Sequence, residues 1–367
     1  MDDGANNSYG RRVSLLMLKR QRFLDADGCD AVASWLADRL PGDGPVAIAE
    51  LDQSAGNSHQ VFLVKRAAKQ WVMRVAPTGR EFTGDGRFDL HHEWRILNAI
   101  SESAIPHAKA VLVSDSSCPV GNAILVIEYV DGHVLHGQLP EEYATPESAR
   151  QIVDSLVDTL ATISHFDWER ADIAPPGIDT DTYLERQCTK GRRLMESART
   201  REAPLVDKLF DHLEQAMPSS STLGLIHGDY SSMNVMVHRT GDPSVAAVID
   251  WETGTVGDSM IDIGYLTARW VSPEENPLLA NFALGGGNAE HHRILPDRAY
   301  VARRFAESAG KSVDLLPYYQ GFAMARLAVA IEPRVQRARQ REDEQTASMF
   351  AAMVDTCAQH GLTLAGA

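Results

Sequence analysis

Two aspartates and one asparagine stand where they could carry out chemistry on phosphate groups. In His227-Gly228-Asp229 the aspartate follows a short apolar run, Asn234 comes five residues later, and Asp250 ends a second apolar run. Carboxylate and amide oxygens suit Mg²⁺ when phosphates and water complete its shell. Phosphoryl transfer needs such ligands together with a carboxylate that accepts the proton of the acceptor hydroxyl. The spacing favours Asp229 as base and Asn234 with Asp250 as metal ligands; the alternative is that both aspartates cap turns or helices.

These side chains must be held by the elements that precede them. Alternating or continuous apolar runs bounded by turn residues predict strands, and apolar positions three or four residues apart predict helices. The predicted strands are Leu223–Ile226, Val245–Ile249, the hairpin pair Val61–Val64 and Trp71–Val75, and Ile124–Val130. The predicted helices are Arg87–Ile100, one that begins at Pro146 behind the N-cap Thr145, and one from Pro317 to about Val335. The first half is therefore expected to form a small antiparallel sheet with one helix, and the second half to be mainly helical.

Composition excludes several classes of protein. The chain has 367 residues, 44% of them hydrophobic, and a formal net charge of −15, which argues against a generic nucleic-acid binder. Four scattered cysteines without a Cys-x-x-Cys pair favour a reducing, cytoplasmic setting. The polar, acidic start is not the pattern of a signal peptide, and no apolar run reaches the length of a membrane span. We therefore expect neither nucleic acid nor membrane as a partner, and the sequence does not indicate the oligomeric state.

The stretch from His227 to Asn234 resembles the catalytic loop of the aminoglycoside phosphotransferase and choline kinase group of protein-kinase-like enzymes. Asp250-Trp251-Glu252 stands where protein kinases carry Asp-Phe-Gly, and residues 257–266 are similar to the segment that follows. The resemblance extends from about residue 45 to 340. It is closest to the bacterial branch related to the kinase domain that precedes some acyl-CoA dehydrogenase domains. It implies an α+β, two-lobed protein-kinase-like fold with a small antiparallel-sheet N-lobe and a larger, mostly helical C-lobe.

The same resemblance implies where the nucleotide binds. The expected divisions are an N-terminal arm at residues 1–26, a nucleotide-binding N-lobe at 27–130, and a C-lobe at 131–367 with the catalytic loop and the acceptor pocket. The implied nucleotide-binding residues are Gly56, Asn57 and Ser58 in a loop over the phosphates, Arg74 in place of the phosphate-pairing lysine, Glu93 as its ion-pair partner, and Glu128, Tyr129 and Val130 at the hinge. The alternative for Arg74 and Glu93 is a pair of unrelated solvated charges. The hinge segment is also compatible with a buried strand.

The implied activity is transfer of the γ-phosphate of ATP or GTP, with Mg²⁺, to the hydroxyl of a small acceptor. A nucleotide-binding pseudokinase or regulatory module and an aminoglycoside-modifying resistance enzyme are the alternatives. A protein kinase is disfavoured by the His-Gly-Asp loop and by the lack of an Ala-Pro-Glu segment. The run Ile261–Trp270 is largely apolar with Arg269 rather than acidic. Together with the resemblance to the dehydrogenase-linked branch, this implies a hydroxylated metabolite or hydroxyacyl-CoA as acceptor. Asp262 and His227 are expected to order the loop, whereas the role of Glu252 stays open.

Overall fold

The chain forms two compact units in the computed structural model, which describes residues 23–51, 59–77, 89–135 and 137–367. The sheet unit comprises the described residues up to Gly132 together with Ala246–Gly254. The helical unit comprises His133–Val245 and Thr255–Ala367. The two aspartates singled out above therefore belong to different units.

A five-stranded antiparallel sheet forms the centre of the sheet unit. Its strands are β1 (Ala47–Glu50), β2 (Gln60–Arg66), β3 (Lys69–Val75), β4 (Ala110–Val113) and β5 (Ile124–Glu128), in the order β1-β2-β3-β5-β4. Along β3, Met73 and Val75 are buried with helix α1 (Ala26–Ala37) in one apolar cluster. Because successive side chains of a strand point to opposite faces, Arg74 lies on the other face, where helix α2 (Leu90–Ala99) contacts it.

The segment Ala246–Gly254 is attached to the sheet unit by backbone contacts. The N–H of Val248 donates to the carbonyl of Pro106 at 2.8 Å, beside a parallel bridge between His107 and Val248. At the other end of the segment, His92 Nε2 on α2 lies 2.6 Å from the carbonyl oxygen of Gly254. These contacts hold residues 249–253 near the face of the sheet that carries Arg74.

The helical unit carries its candidate residues next to a two-stranded sheet and on the helix that follows it. Strands β7 (Leu223–Ile226) and β10 (Thr255–Asp258) pair antiparallel, with Ile226 opposite Thr255. The remaining strands of the described residues are β6 (Gly132–Val134), β8 (Val235–His238) and β9 (Val245–Val248). The helices are α3 (Pro146–Ser164), α4 (Tyr183–Ala198), α5 (Pro204–Gln215), α6 (Ile261–Ala268), α7 (Pro277–Ala280), α8 (Ala289–Ile294), α9 (Arg298–Ala309), α10 (Leu316–Gln340) and α11 (Glu344–Ala365). The pairing of β7 with β10 thus brings the residue after β7 next to the start of α6.

The expected strands and helices are present, but several ends differ. The strand expected to reach Val130 ends at Glu128, the last residue paired with β3. The helix expected to end near Val335 continues through Pro333 to Gln340, and its buried residues include Ala338. Helix α2 begins behind the cap Asp89, and residues 87–88 lie outside the described residues. Of the helices that the structure describes, none has the length and apolarity to cross a membrane.

Candidate active site

The backbone of the loop after β7 is fixed by a buried carboxylate on α6. Gly228 has φ 80°, the left-handed conformation that glycine adopts without a Cβ penalty. Asp262 accepts the backbone N–H of His227 at 2.6 Å and that of Gly228 at 2.9 Å. Burial raises the pKa of Asp262, while His227 and the two backbone amides act in the opposite direction. The loop that carries Asp229 is therefore anchored immediately before that residue, as expected for Asp262.

Asp229 and Asn234 are in direct contact. The Asn234 amide Nδ2 donates to the backbone carbonyl of Asp229 at 2.8 Å and to its carboxylate Oδ2 at 2.9 Å. The Asp229 side chain is 42% exposed. The contact between residues five apart therefore closes a loop. In that loop, Asn234 fixes the orientation of the Asp229 carboxylate, which stays accessible to solvent.

Two arginine side chains lie beside this loop. Arg269 Nη1 lies 3.9 Å from Asp229 Oδ1 and donates to the hydroxyl of Tyr265 at 3.2 Å. Arg326 donates to the carbonyl of Gly228 at 3.1 Å. Burial raises the pKa of Tyr265, and the carboxylate of Asp229 raises it further. Sequence reasoning missed Tyr265 and took Arg269 only as a sign that the acceptor pocket is not acidic.

In the sheet unit, Arg74 joins the residues that the sequence singled out there. Its guanidinium pairs with Glu93 through Nη1 and donates through Nη2 to Asp250 Oδ1 at 2.7 Å. His59 Nδ1 lies 2.9 Å from the same Nη2. Glu252 Oε2 is 3.4 Å from His59 Nδ1 and 3.8 Å from Arg74 Nη2. The predicted Arg74–Glu93 ion pair is therefore present, and it extends to Asp250 and Glu252.

The electrostatics of this cluster are dominated by its acidic groups. Burial opposes the charged guanidinium of Arg74, but Glu93, Asp250 and Glu252 together raise its pKa above the ordinary arginine value. Burial also raises the pKa of Glu93, while Arg74 lowers it. Three carboxylates and one imidazole thus lie around one guanidinium among the described residues.

Asp250 has a backbone conformation that is uncommon for a residue with a side chain. Its φ of 66° and ψ of 57° lie in the left-handed region, which costs free energy and is found most often at functional sites. The next residue, Trp251, is fully buried and donates from Nε1 to the carbonyl of Val248 at 3.1 Å. The Asp250 carboxylate remains 34% exposed. The accessible carboxylate of Asp250 is therefore directed toward Arg74 by the left-handed turn after β9 and by the buried side chain of Trp251.

The remaining predicted residues fall into two groups. Gly56, Asn57 and Ser58 lie outside the described residues. At the predicted hinge, Glu128 is exposed and its N–H donates to the carbonyl of Lys109 at 2.9 Å, so that N–H is occupied. Tyr129 is exposed and Val130 is half-buried, just beyond the paired strand. Within the part of the chain that the structure describes, no three His, Cys, Asp or Glu side chains form a group that could hold a metal ion by themselves.

Comparison with known proteins gives the family. Residues 52–302 match the model of the phosphotransferase enzyme family, and the chain therefore belongs to that family. It is 24% identical over 255 residues to the mouse acyl-CoA dehydrogenase family member 10; the match covers 69% of this chain and 23% of that protein. The chain thus spans less than a quarter of the length of this relative.

Solved structures of other proteins share the fold of this chain. A provisionally named aminoglycoside phosphotransferase from Ralstonia eutropha superposes with a TM-score of 0.73 at 23% identity, covering 91% of this chain and 98% of that one. A thermostable mutant of aminoglycoside phosphotransferase APH(4)-Ia, solved as a ternary complex with AMP-PNP and hygromycin B, gives a TM-score of 0.59 at 17% identity, covering 90% and 98%. The predicted kinase-like α+β fold and the predicted class, a kinase-type phosphotransferase, are confirmed.

Proposed function

We propose that this protein transfers the γ-phosphate of ATP or GTP to a hydroxyl group of a small molecule, with Mg²⁺ as cofactor. The observation that carries the proposal is the Asp229–Asn234 contact, which holds an accessible carboxylate in one direction. In the reaction, Asp229 accepts the proton of the acceptor hydroxyl. The acceptor oxygen bonds to the γ-phosphorus, the bond from that phosphorus to the bridging oxygen breaks, and the nucleoside diphosphate leaves.

The side-chain oxygens of Asp250 and Asn234 suit the proposed role of Mg²⁺ ligands. Asp250 supplies an exposed carboxylate in an acidic cluster, and Asn234 keeps an amide oxygen while its Nδ2 contacts Asp229. Mg²⁺ is commonly bound by one or two protein oxygens together with phosphate oxygens, so a cluster of three acidic side chains is not needed. Bound Mg²⁺ would neutralise charge on the phosphates of the nucleotide. We assign Asn234 and Asp250 as its protein ligands.

Other residues of the sheet unit are assigned to binding the nucleotide. Arg74, fixed by Glu93, is assigned to the phosphates, because a guanidinium can donate to two phosphate oxygens at once. The loop Gly56-Asn57-Ser58 is assigned to the phosphates through its backbone amides. The backbone of Tyr129 and Val130 is assigned to the adenine or guanine edge. Glu128 is assigned to the hinge through groups other than its N–H, which contacts Lys109.

The charges near Asp229 favour an anionic or neutral acceptor. A polycationic aminoglycoside would approach a carboxylate that already has Arg269 beside it, and Arg326 of α10 is hydrogen-bonded to the same loop. Like charges in a partly buried site oppose binding. The similarity to an acyl-CoA dehydrogenase family protein points the same way. We therefore propose a hydroxylated metabolite, such as a hydroxyacyl-CoA, ahead of an aminoglycoside.

Calorimetry of nucleotide binding tests the donor side. ATP and GTP are titrated with Mg²⁺ and with a chelator into the wild-type chain, Asp250→Asn and Asn234→Ala. Asparagine tolerates the left-handed backbone at position 250, so the first variant removes charge without adding strain. Asp242→Ala, at an exposed position between β8 and β9, is the control. We expect Mg²⁺-dependent binding that both site variants weaken and the control retains; unchanged Mg²⁺-dependent affinity in both would exclude the metal assignment.

A screen of hydroxyl compounds tests the acceptor side. Release of ADP or GDP is measured with hydroxyacyl-CoAs, neutral polyols and aminoglycosides, and the same mixtures with Asp229→Asn serve as blanks. Turnover with an anionic or neutral acceptor is the expected result. Turnover with aminoglycosides alone would make the resistance-enzyme alternative correct. Tight nucleotide binding without turnover of any compound would favour the pseudokinase alternative.

A further inference from the structure

Helix α6 presents three polar side chains to the loop that carries Asp229. Asp262, Tyr265 and Arg269 are separated by three and four residues, a spacing that places side chains on one face of a helix and its last turn. Asp262 holds the backbone of the loop, as described above. Of the other two residues, Arg269 faces the carboxylate of Asp229 and is hydrogen-bonded to the Tyr265 hydroxyl, and neither has a part in the chemical step proposed so far.

Tyr265 and Arg269 lie near the Asp229 oxygen that Asn234 does not contact. Arg269 Nη1 is 3.9 Å from Asp229 Oδ1, whereas Asn234 donates to Oδ2. The same Nη1 donates to the Tyr265 hydroxyl at 3.2 Å, and burial and the Asp229 carboxylate raise the pKa of that hydroxyl. Oδ2 therefore has a hydrogen-bond donor and Oδ1 faces a guanidinium that Tyr265 helps to hold, so rotation of the carboxylate would disturb both.

The surroundings of Arg269 argue against a direct role in acceptor binding. Its side chain is 14% exposed, and Nη2 donates to the carbonyl of Phe282 at 2.9 Å and contacts Met233 Sδ at 3.1 Å. The guanidinium also lies 5.2 Å from the centre of the Tyr265 ring, which is itself buried. A guanidinium held in this way has little capacity left to hydrogen-bond a ligand, so beyond its charge its effect on the chemical step is exerted through Asp229.

We infer that Tyr265 and Arg269 are positioning residues that fix the orientation of the Asp229 carboxylate toward the acceptor hydroxyl. The inference rests on the proposed phosphotransferase function. Proton acceptance by Asp229 requires a carboxylate oxygen within hydrogen-bond reach of the hydroxyl in the reacting geometry. Small displacements of a reacting group lower the rate strongly, and the nucleotide phosphates and the nucleobase are assigned to other residues.

The kinetic test uses slow transfer of the γ-phosphate of ATP to water as its probe. We expect Tyr265→Phe and Arg269→Gln to lower kcat by at least about tenfold, with KM for Mg·ATP unchanged. Combined with Asp229→Asn, neither substitution should lower kcat further, since both act through that residue. Arg304→Gln, which breaks an ion pair with Asp158 elsewhere in the helical unit, is the matched control and should keep the wild-type kcat. A raised KM, or losses that add to that of Asp229→Asn, would overturn the inference.

A structural readout separates this inference from the proposed function. Tyr265→Phe removes one oxygen at nearly constant volume, so the variant should fold. Its crystal structure is expected to show the Asp229 carboxylate turned away from Asn234 Nδ2. A carboxylate in the wild-type orientation would overturn the positioning role even if the wild-type chain hydrolyses no ATP. Absence of all phosphate transfer together with a displaced carboxylate would instead count against the proposed function alone.

Discussion

At the scale of single residues, the sheet unit depends most on one buried guanidinium. Arg74 contacts Glu93 and Asp250 directly and has Glu252 within 4 Å, and Glu93 is 1% exposed. Taking charges out of water is costly, and the cost is offset only while the partner charges remain in contact. Arg74 therefore supports the fold of the sheet unit in addition to its proposed contact with phosphates.

Replacement of Arg74 should accordingly reduce stability. We expect Arg74→Ala to lower the free energy of unfolding by about 3–5 kcal/mol, because it leaves Glu93 buried without its counter-charge. Urea unfolding followed by tryptophan fluorescence measures the loss. Lys69→Ala, at the exposed start of the same strand, is the control and should change stability little. A loss for Arg74→Ala no larger than that of the control would show that the ion pair contributes nothing to folding.

The sequence reveals a site residue most easily when its contacts are local. The Asp229–Asn234 contact spans five residues, so the spacing alone indicates it. Arg74 and Asp250 are 176 residues apart, and only the resemblance to a known family relates them. Tyr265 was missed because its position beside Arg269, which faces Asp229, depends on how α6 packs. The signal for it was present in the sequence, in the helical spacing of Asp262, Tyr265 and Arg269.

At the scale of elements, α6 can contact the loop only because it packs closely against α10. A Cβ added to Gly264 on α6 would lie 2.5 Å from Cβ and 2.7 Å from the backbone carbon of Tyr319 on α10. Real Cβ atoms do not approach other atoms so closely, and much of the obstruction is backbone. The glycine is therefore required by the packing of the two helices.

Gly264→Ala should destabilise the helical unit despite the better helix propensity of alanine. Overpacking typically costs about 1–3 kcal/mol, whereas the gain in propensity is up to about 1 kcal/mol. Chemical denaturation of the variant should therefore show a net loss, and Gly121→Ala, whose Cβ would meet nothing within 4 Å, should show none. A net gain in stability for Gly264→Ala would contradict the close approach of α6 and α10.

Elements could be predicted where their pattern is regular. The β2–β3 hairpin and α3 were predicted, since their apolar spacing and the Thr145 cap are local signals. Helix α11 was not predicted, and the run just before it, residues 339–344, is highly charged. Its buried residues, among them Phe350, Met353 and Val354, do repeat at helical spacing. The charge of the preceding turn obscured a pattern that a longer window would have detected.

At the scale of the whole molecule, the proposed reaction needs residues from both units. The Arg74 cluster belongs to the sheet unit, and Asp229 with Asn234 belongs to the helical unit. The family match at residues 52–302 likewise includes parts of both. The proposed phosphate transfer is therefore best measured on the whole 367-residue chain with one residue changed.

The most direct test is transfer of a radioactive γ-phosphate from ATP or GTP to the acceptor found in the screen, by the wild-type chain and by Asp229→Asn. The account predicts Mg²⁺-dependent label in the acceptor that falls about 10²-fold or more in the variant, while calorimetry shows nearly unchanged nucleotide affinity. The reason is that Asp229 meets the acceptor hydroxyl, whereas Asp250 and Asn234 are assigned to the metal. Full transfer by a correctly folded Asp229→Asn protein would contradict the account, because the carboxylate would then not be the base.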